Sequence, residues 1–354
     1  MHTLALRMLT MSRLMVMKHK PMKHLLIIPI ALSLLIISPL LSICFGAADI
    51  SFSDVFAIIY RVFGGEAEVD AIKERIVLEL RFPRIILAFL AGAGLSLSGA
   101  VLQTVTRNPL ADPYLFGISS GASFGAVLVI ASVGAASSMV SITGGAFLGG
   151  ALSVLLVVSL AGMGVQIERM LLAGVAVQFM FSSATSLVLY LSDPQAAASL
   201  LFWILGSFTR ASWDNLLLPF VVITFCLVVF LAFTRPLRAI LAGDESAKSL
   251  GVEVYRLRIG MLLLSSLLTA TLVASCGGIG FVGLMVPHIV RRILINQSQY
   301  ILIGSAIFGG IFMIWVDVLA RMLMENSELP VGVITAAMGS MFFLLVLKRR
   351  TNSA

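Results

Sequence analysis

The stretch RFPRIILAFLAGAGLSLSGAVLQTVTRNPLADP, residues 81–113, decides the fold class. Arg81 and Arg84 precede 22 uncharged residues, 85–106, and Arg107 ends the run. A helix needs about 20 apolar residues to cross the hydrocarbon of a bilayer. The Asn-Pro pair that follows Arg107 stops the helix, because proline disfavours the helical conformation in the residue before it. The stretch therefore predicts a membrane-spanning helix that ends in a tight turn.

The composition extends this prediction to the whole chain. Of the 354 residues, 59% are hydrophobic and only 12% are charged, whereas about a quarter of the residues of a soluble domain are charged. The mean hydropathy is +1.07. We therefore expect an all-α polytopic membrane protein, whose length reflects many spans.

Uncharged runs place the spans. Two of the runs, 114–167 and 259–290, are long enough for two spans each. The first contains the small-residue turn SVGAASS, and the second is interrupted by CGGIG, so that its second half is short and bent. Ten transmembrane helices are predicted. The runs are 25–48, 85–106, 114–167, 170–192, 215–234, 259–290, 293–316 and 329–347.

The positive charges orient these spans. With the N-terminus in the cytoplasm, 17 Lys and Arg residues lie inside and 7 lie outside. Because positive residues concentrate in cytoplasmic loops, this bias predicts that both termini are cytoplasmic. Residues 1–24 are then a cytoplasmic tail, and residues 25–350 form a single transmembrane domain with one long charged cytoplasmic loop, 235–258.

Arg81, Arg84 and Arg321 are exceptions to this rule, because they fall at the outer ends of spans. They can be anchors whose charged ends reach the interface. Alternatively, they form a docking site for an acidic partner, since charge on an exposed face steers encounter and sets register.

Glycines and small polar residues mark further helix faces. Gly117, Gly121 and Gly125 recur every four residues, a pattern that lets two membrane helices approach closely. The only histidine beyond the N-terminal region, at position 288, follows a proline near a helix end and is expected to make a structural hydrogen bond. The three cysteines show no metal-ligand spacing and are expected to pack as small apolar residues, so no metal site and no cofactor are predicted.

Several motifs, in this order, resemble one family: the FecCD-type permeases of ABC importers, which carry iron–siderophore complexes, haem and cobalamin. The resemblance covers the chain from about residue 81 to the C-terminus and implies the type II importer permease fold. Two departures occur, NQSQY at 296–300 and Ser340 after Gly339, where the family often has an acidic-His-Arg cluster and a proline. Besides the opening stretch, the motifs are FWILGS at 202–207, AKSLGV at 247–252, GGIGFVGLMVPHIVR at 277–291, DVLAR at 317–321 and LPVGVITAAMG at 329–339.

The resemblance implies roles for particular residues. The three outer arginines would receive glutamates from the two lobes of a substrate-binding protein. Residues Glu245, Ala247, Leu250 and Gly251 would form the coupling segment that contacts an ATPase subunit, although loop 235–258 could also be a solvated loop at the lipid headgroups.

The span over 170–192 carries one small or polar face, with spacings of four, four and three residues. This face either makes interhelical hydrogen bonds or lines a translocation pathway. Its members are Gly174, Gln178, Ser182 and Thr185.

The residues favour an importer driven by a partner. The sequence has no phosphate-binding loop of the form G-x-x-x-x-G-K-[ST]. It also lacks a set of intramembrane carboxylates for ion coupling: Asp317 is the main candidate, and it is expected to pair with Arg321 one turn away. A secondary transporter is the second class of function, and an intramembrane enzyme ranks last because no catalytic motif is present.

The expected partners are two copies of an ATP-binding subunit, a substrate-binding protein, a second permease copy in a homodimer or heterodimer, and membrane lipid. No nucleic acid partner is expected. The location is the bacterial cytoplasmic (inner) membrane, and the favoured substrate is an iron chelate, either siderophore or haem, with cobalamin as the alternative.

Overall fold

The computed structural model describes residues 21–133, 139–162, 167–192, 197, 200–201, 203–294, 298–324 and 327–351. Most of the predicted N-terminal tail, most of the SVGAASS turn and part of NQSQY lie outside these ranges. Within them the regular secondary structure is helical and contains no strand. The helices are α1 Pro21–Cys44, α2 Phe52–Val62, α3 Ala71–Arg75, α4 Phe82–Val105, α5 Ile118–Val133, α6 Met139–Ala161, α7 Ile167–Leu191, α8 Leu217–Ala232, α9 Thr234–Leu241, α10 Asp244–Ser249, α11 Val254–Cys276, α12 Val282–Ile293, α13 Ser298–Met322 and α14 Val331–Thr351.

Each of the ten predicted spans coincides with one of these helices. Six helical stretches in the described residues are long and apolar enough to cross a membrane, and three more are apolar but shorter. The tenth is α12, which has 12 residues and contains Pro287. The largest difference in a boundary lies at the second span: a π-helical turn, Ile76–Arg81, joins α3 to α4, so the second spanning helix begins at Ala71.

Helix α4 lies at the centre of the bundle and packs against α8, α11, α12 and α13. Two of its glycines make the close approaches possible. A Cβ on Gly92 would overlap the backbone of Gly309 in α13, and a Cβ on Gly99 would overlap the backbone of Gly283 in α12. In lipid, where apolar side chains gain little by meeting one another, such backbone contact is a main source of helix association.

Helices α5, α6 and α7 form a second packed group. Gly121 and Gly125 of α5 lie against the backbones of Gly149 and Gly145 of α6. A Cβ on Gly117, whose φ is +68°, would meet the Ser153 side chain of α6 and the backbone of α7. The predicted packing role of the glycine stripe is confirmed, and the stripe contacts two helices rather than one.

The predicted glycine-rich break separates α11 from α12. Gly277 and Phe281 adopt positive φ angles of 74° and 68°, and the N–H of Ile279 donates to the Tyr114 hydroxyl oxygen at 2.5 Å. Cys276 O accepts from the N–H of Ser207 at 2.9 Å. Irregular backbone at membrane depth is stable only where protein groups satisfy it, and these bonds do so.

Candidate functional site

The three arginines singled out in the sequence lie close together at the side of the bundle that the charge distribution predicts to be outer. Arg84 in α4 contacts Asp317 in α13: its Nη2 lies 2.8 Å from Oδ1 and its Nε donates to both carboxylate oxygens, at 2.9 and 3.1 Å. Its two terminal nitrogens also pair with the Glu328 carboxylate at 2.9 and 2.8 Å. The expected pair of Asp317 with Arg321 is present at 3.2 Å.

Arg81 and Arg321 bind backbone carbonyls that follow the end of α1 or lie in its last turn. Arg81 donates to Ile43 O and, at 2.6 Å, to Ala48 O. Arg321 donates to Phe45 O at 2.8 Å. A helix C-terminus leaves its last carbonyls without intrahelical partners, and arginine satisfies them while complementing the helix dipole. The arginines thus tie the end of α1 to α4 and α13.

Little of this cluster is open to solvent. Arg81 is 6% exposed, and the side chains of Arg84 and Arg321 are 12% and 5% exposed. The carboxylate of Glu328, at 39%, is the most exposed charged group among them. The docking hypothesis places these arginines on an exposed face, whereas the structure buries them among internal partners. The carboxylate of Glu328 marks where the cluster meets the outside.

Loop 235–258, on the opposite side, folds into the two short helices α9 and α10 before α11 begins. Asp244, the first residue of α10, accepts from Arg258 at 3.0 and 2.8 Å and lies 3.0 Å from Arg107. The Arg258 guanidinium, which donates to both oxygens, holds the pKa of the Asp244 carboxyl below its usual range. Arg258 also donates to Val105 O at 3.1 Å, so α10 is fastened to the end of α4.

The four predicted coupling residues have different environments. Leu250 is 72% exposed, and Glu245 is exposed and pairs with Lys248 at 3.0 Å. Ala247 is fully buried and packs inward as part of the main hydrophobic core. Gly251 has a φ of +78°, with open space where a Cβ would lie. Leu250 is the large apolar side chain among these four residues that is exposed, so a pocket on a partner could accept it.

The predicted polar face of α7 is divided. Gly174 and Thr185 are buried against the neighbouring helices, and the Thr185 hydroxyl donates to Phe181 O at 2.8 Å within its own helix. Gln178 and Ser182 are exposed. Half of the face thus packs inside the protein, and half lies on the surface where a second copy or a pathway could meet it.

One polar network was not predicted from the sequence. Gln103, which is 3% exposed in α4, donates to Gly283 O at 3.1 Å and accepts from Arg291 in α12. Arg291 also donates to Ala100 O at 3.2 Å. The signal was a glutamine in the middle of an apolar run, a residue type that needs partners when buried.

His288, expected to make a structural hydrogen bond, lies edge-on to Phe342 with ring centroids 5.7 Å apart.

The chain is similar to known membrane transport proteins over most of its length. The FecCD transport family model matches residues 34–349. The chain is 36% identical over 339 residues to an Fe(3+)-citrate import system permease protein of Bacillus subtilis, covering 95% of this chain and 98% of the relative. It is 35% identical over 280 residues to a vitamin B12 import system permease protein of Vibrio parahaemolyticus, covering 79% and 84%.

A solved structure has the same fold. It is described as an inward-facing conformation of a metal-chelate type ABC transporter, with a TM-score of 0.79 and 32% identity over 90% of this chain and 97% of that one. The arrangement of helices and the sequence comparisons agree over most of the chain. This multi-pass protein of the bacterial inner membrane belongs to the FecCD transport family of ABC importer permeases.

Proposed function

We propose that the chain is the permease subunit through which an ATP-driven importer moves an iron chelate, a siderophore complex or haem, handed over by a substrate-binding protein. The observation that carries the proposal is the fastened coupling segment, in which Asp244 holds α10 to α4 while Leu250 projects from the inner side. Residues 25–350 act as one permease domain, and loop 235–258 contacts an ATPase subunit and transmits its conformational change to the membrane helices. The chain is a transport subunit rather than an enzyme, and hydrolysis occurs in its partner.

The assembly contains two permease copies and two ATPase subunits around one pathway. The exposed half of the α7 face, Gln178 and Ser182, supports this arrangement, because a bulky solute needs a weakly polar wall on each side of its path. Gly174 and Thr185 are buried, and the Gly174 carbonyl lies against Gly117, just before α5. The second copy is either the same chain or a close homologue.

Coupling is tested at Leu250. Substitution of Gly251 by a large residue would not distinguish lost docking from backbone strain, because a φ of +78° disfavours any side chain. Leu250→Asp changes an exposed side chain in ordinary backbone, so it leaves folding intact. We expect it to abolish substrate-stimulated ATP hydrolysis and uptake at unchanged membrane abundance. Leu110→Asp, an exposed leucine in the turn after α4, is the matched control and transports normally.

The binding protein is proposed to dock over the arginine cluster by carboxylate exchange. Glu328 occupies the outer edge of the Arg84 guanidinium, opposite Asp317, and one edge of a planar guanidinium pairs bidentately with one carboxylate. Reversal of Arg81 would place a carboxylate against carbonyl oxygens in a buried site, so it would test folding rather than docking. Glu328→Gln leaves the fork available and should tighten binding-protein affinity, with the gain shrinking as salt rises. An unchanged affinity would exclude exchange at Arg84.

The names of two relatives bear on the substrate class. An iron–citrate importer permease matches 95% of this chain, which favours an iron chelate, and a vitamin B12 importer permease keeps cobalamin as the alternative. Uptake of labelled ferric siderophore, haem and cobalamin by a deletion strain and its complement decides among them. Dependence of uptake on ATP in proteoliposomes, with no ion gradient, distinguishes the importer from a secondary transporter.

A further inference from the structure

A crevice of about 360 Å³ lies where α4 ends, between that end, α9 and the start of α13. It could hold roughly a dozen water molecules, given the share of liquid volume that each occupies. One part of its wall is polar and includes Gln103, Thr104 and Thr234. Another part is apolar and includes Leu237 and Leu302.

Two guanidiniums, Arg107 and Arg291, also line the crevice. Arg291 is held by the neutral oxygens of Gln103 and Ala100, and no ion pair involving it occurs among the described residues. Arg107 pairs with Asp244 at 3.0 Å, but Arg258 shares that carboxylate at 2.8 Å.

The local charge is therefore unbalanced. Arg107 and Arg258 share the single carboxylate of Asp244, Arg291 contacts only neutral oxygens, and the C-terminal end of α4 supplies only about half a negative charge through its dipole. Both Arg258 and Arg291 are already turned toward α4 carbonyls, at Val105 and Ala100. The uncompensated positive charge of Arg107 and Arg291 faces the crevice, where an anion would neutralise it.

The crevice lies on the side predicted to be cytoplasmic, at the end of a membrane-spanning helix. Anionic phospholipids are concentrated in that leaflet, and basic pockets between spans bind their headgroups. An apolar wall beside the two guanidiniums suits a lipid better than a free anion, because an acyl chain can cover Leu241, which lines the crevice and is 52% exposed, while the phosphate meets the charge.

We propose that this crevice binds the headgroup of an anionic phospholipid of the inner leaflet, with its phosphate held by Arg107 and Arg291. The proposal rests on the charge-based orientation, which the proposed function also assumes, and on no other part of that function. Because Arg107 also pairs with the first residue of α10, a bound headgroup draws on the same guanidinium that fastens the coupling segment.

The test uses the full chain in nanodiscs of phosphatidylcholine with phosphatidylglycerol, followed by native mass spectrometry of the lipid retained. Arg107→Asn keeps a residue that tolerates its left-handed backbone, φ 52°, and Arg291→Gln keeps a hydrogen-bond donor. Each should reduce retained phosphatidylglycerol about fivefold, the effect of one basic residue at an anionic surface. Arg292→Gln, the exposed neighbour in the same helix, is the matched control and should retain it fully.

Two further arms make the outcome decisive. Millimolar inorganic phosphate should not displace the retained phosphatidylglycerol. If phosphate displaces the lipid, while the lipid is fully retained in phosphate-free buffer, the crevice binds free phosphate and the lipid proposal is overturned. If Arg291→Gln does not fold, Arg107→Asn alone decides, because Arg107 lies outside the buried network with Gln103. Full retention by Arg107→Asn, or an equal loss in Arg292→Gln, refutes the proposal.

Discussion

Removal of the charge on Asp317 should destabilise the protein more than any other single change in the arginine cluster. Asp317 is fully buried and pairs with Arg84 at 2.8 Å and with Arg321 at 3.2 Å. At an effective dielectric constant near 20, each such contact is worth about 4 kcal/mol before desolvation. Asp317→Asn leaves two guanidiniums in a site with 12% and 5% exposure and only Glu328 to offset them.

The expected net cost is about 3–5 kcal/mol, the usual effect of removing one partner from a buried ion pair. Unfolding can be followed by a thiol-reactive dye, since Cys226 and Cys276 are free and buried and react only when the bundle opens. The melting temperature of the detergent-solubilised variant should fall by roughly 5–10 °C, on the scaling for large domains.

Glu328→Gln is the matched control for this prediction. It also removes one carboxylate from Arg84, but at a rim position with 39% exposure, where such pairs contribute about 0.2–1 kcal/mol. A double variant, Asp317→Asn with Arg321→Gln, should recover part of the loss because one uncompensated charge is gone. If Asp317→Asn and Glu328→Gln lower the melting temperature equally, burial does not set the energetics of this cluster.

Three other outcomes are expected. Gly99→Ala should cost about 1–3 kcal/mol by overpacking against the α12 backbone, whereas Gly260→Ala, whose new Cβ meets nothing within 4 Å, should melt at or slightly above the parent temperature. Asp54, at the start of α2, has a pKa lowered to about 2 by its lysine and serine partners, so its contribution to stability is complete above about pH 4 and lost as pH falls through 2; the hydrogen-exchange protection factors of the α2 amides, which correct for the intrinsic pH dependence of exchange, should fall across that window and stay constant at higher pH. A reporter fused after Lys348 should be active only in the cytoplasm and one fused after Gly65 only in the periplasm, and the reverse pattern would contradict the charge-based orientation.

The sequence by itself determined the class of the fold and the number of spans. The reason is that a membrane helix satisfies its backbone hydrogen bonds within its own segment. A local run of about 20 apolar residues is therefore enough to predict a span. The run at 85–106, the break at 276–280 and the packing stripe Gly117, Gly121 and Gly125 were all identified from the sequence. The order of several motifs was enough to point to the family.

Only the tertiary structure decided which side of each helix packs inside the protein and which side is exposed. Gln178 and Thr185 share a face in the sequence pattern, but one is exposed and the other is buried, because the neighbours of α7 cover only part of that face. Likewise, Ala247 and Leu250 are three residues apart, and one packs inward while the other projects.

The outer arginines show the same limit for charge. The sequence marked Arg81, Arg84 and Arg321 as unusual, but it did not place Glu328, 244 residues from Arg84, on the same guanidinium, nor the carbonyls at the end of α1 on Arg81. Apolar length is a local property, so a single segment reveals it. Burial and pairing of a charge depend on groups that only the folded bundle brings within 3 Å, and for that reason they had to be read from the structure.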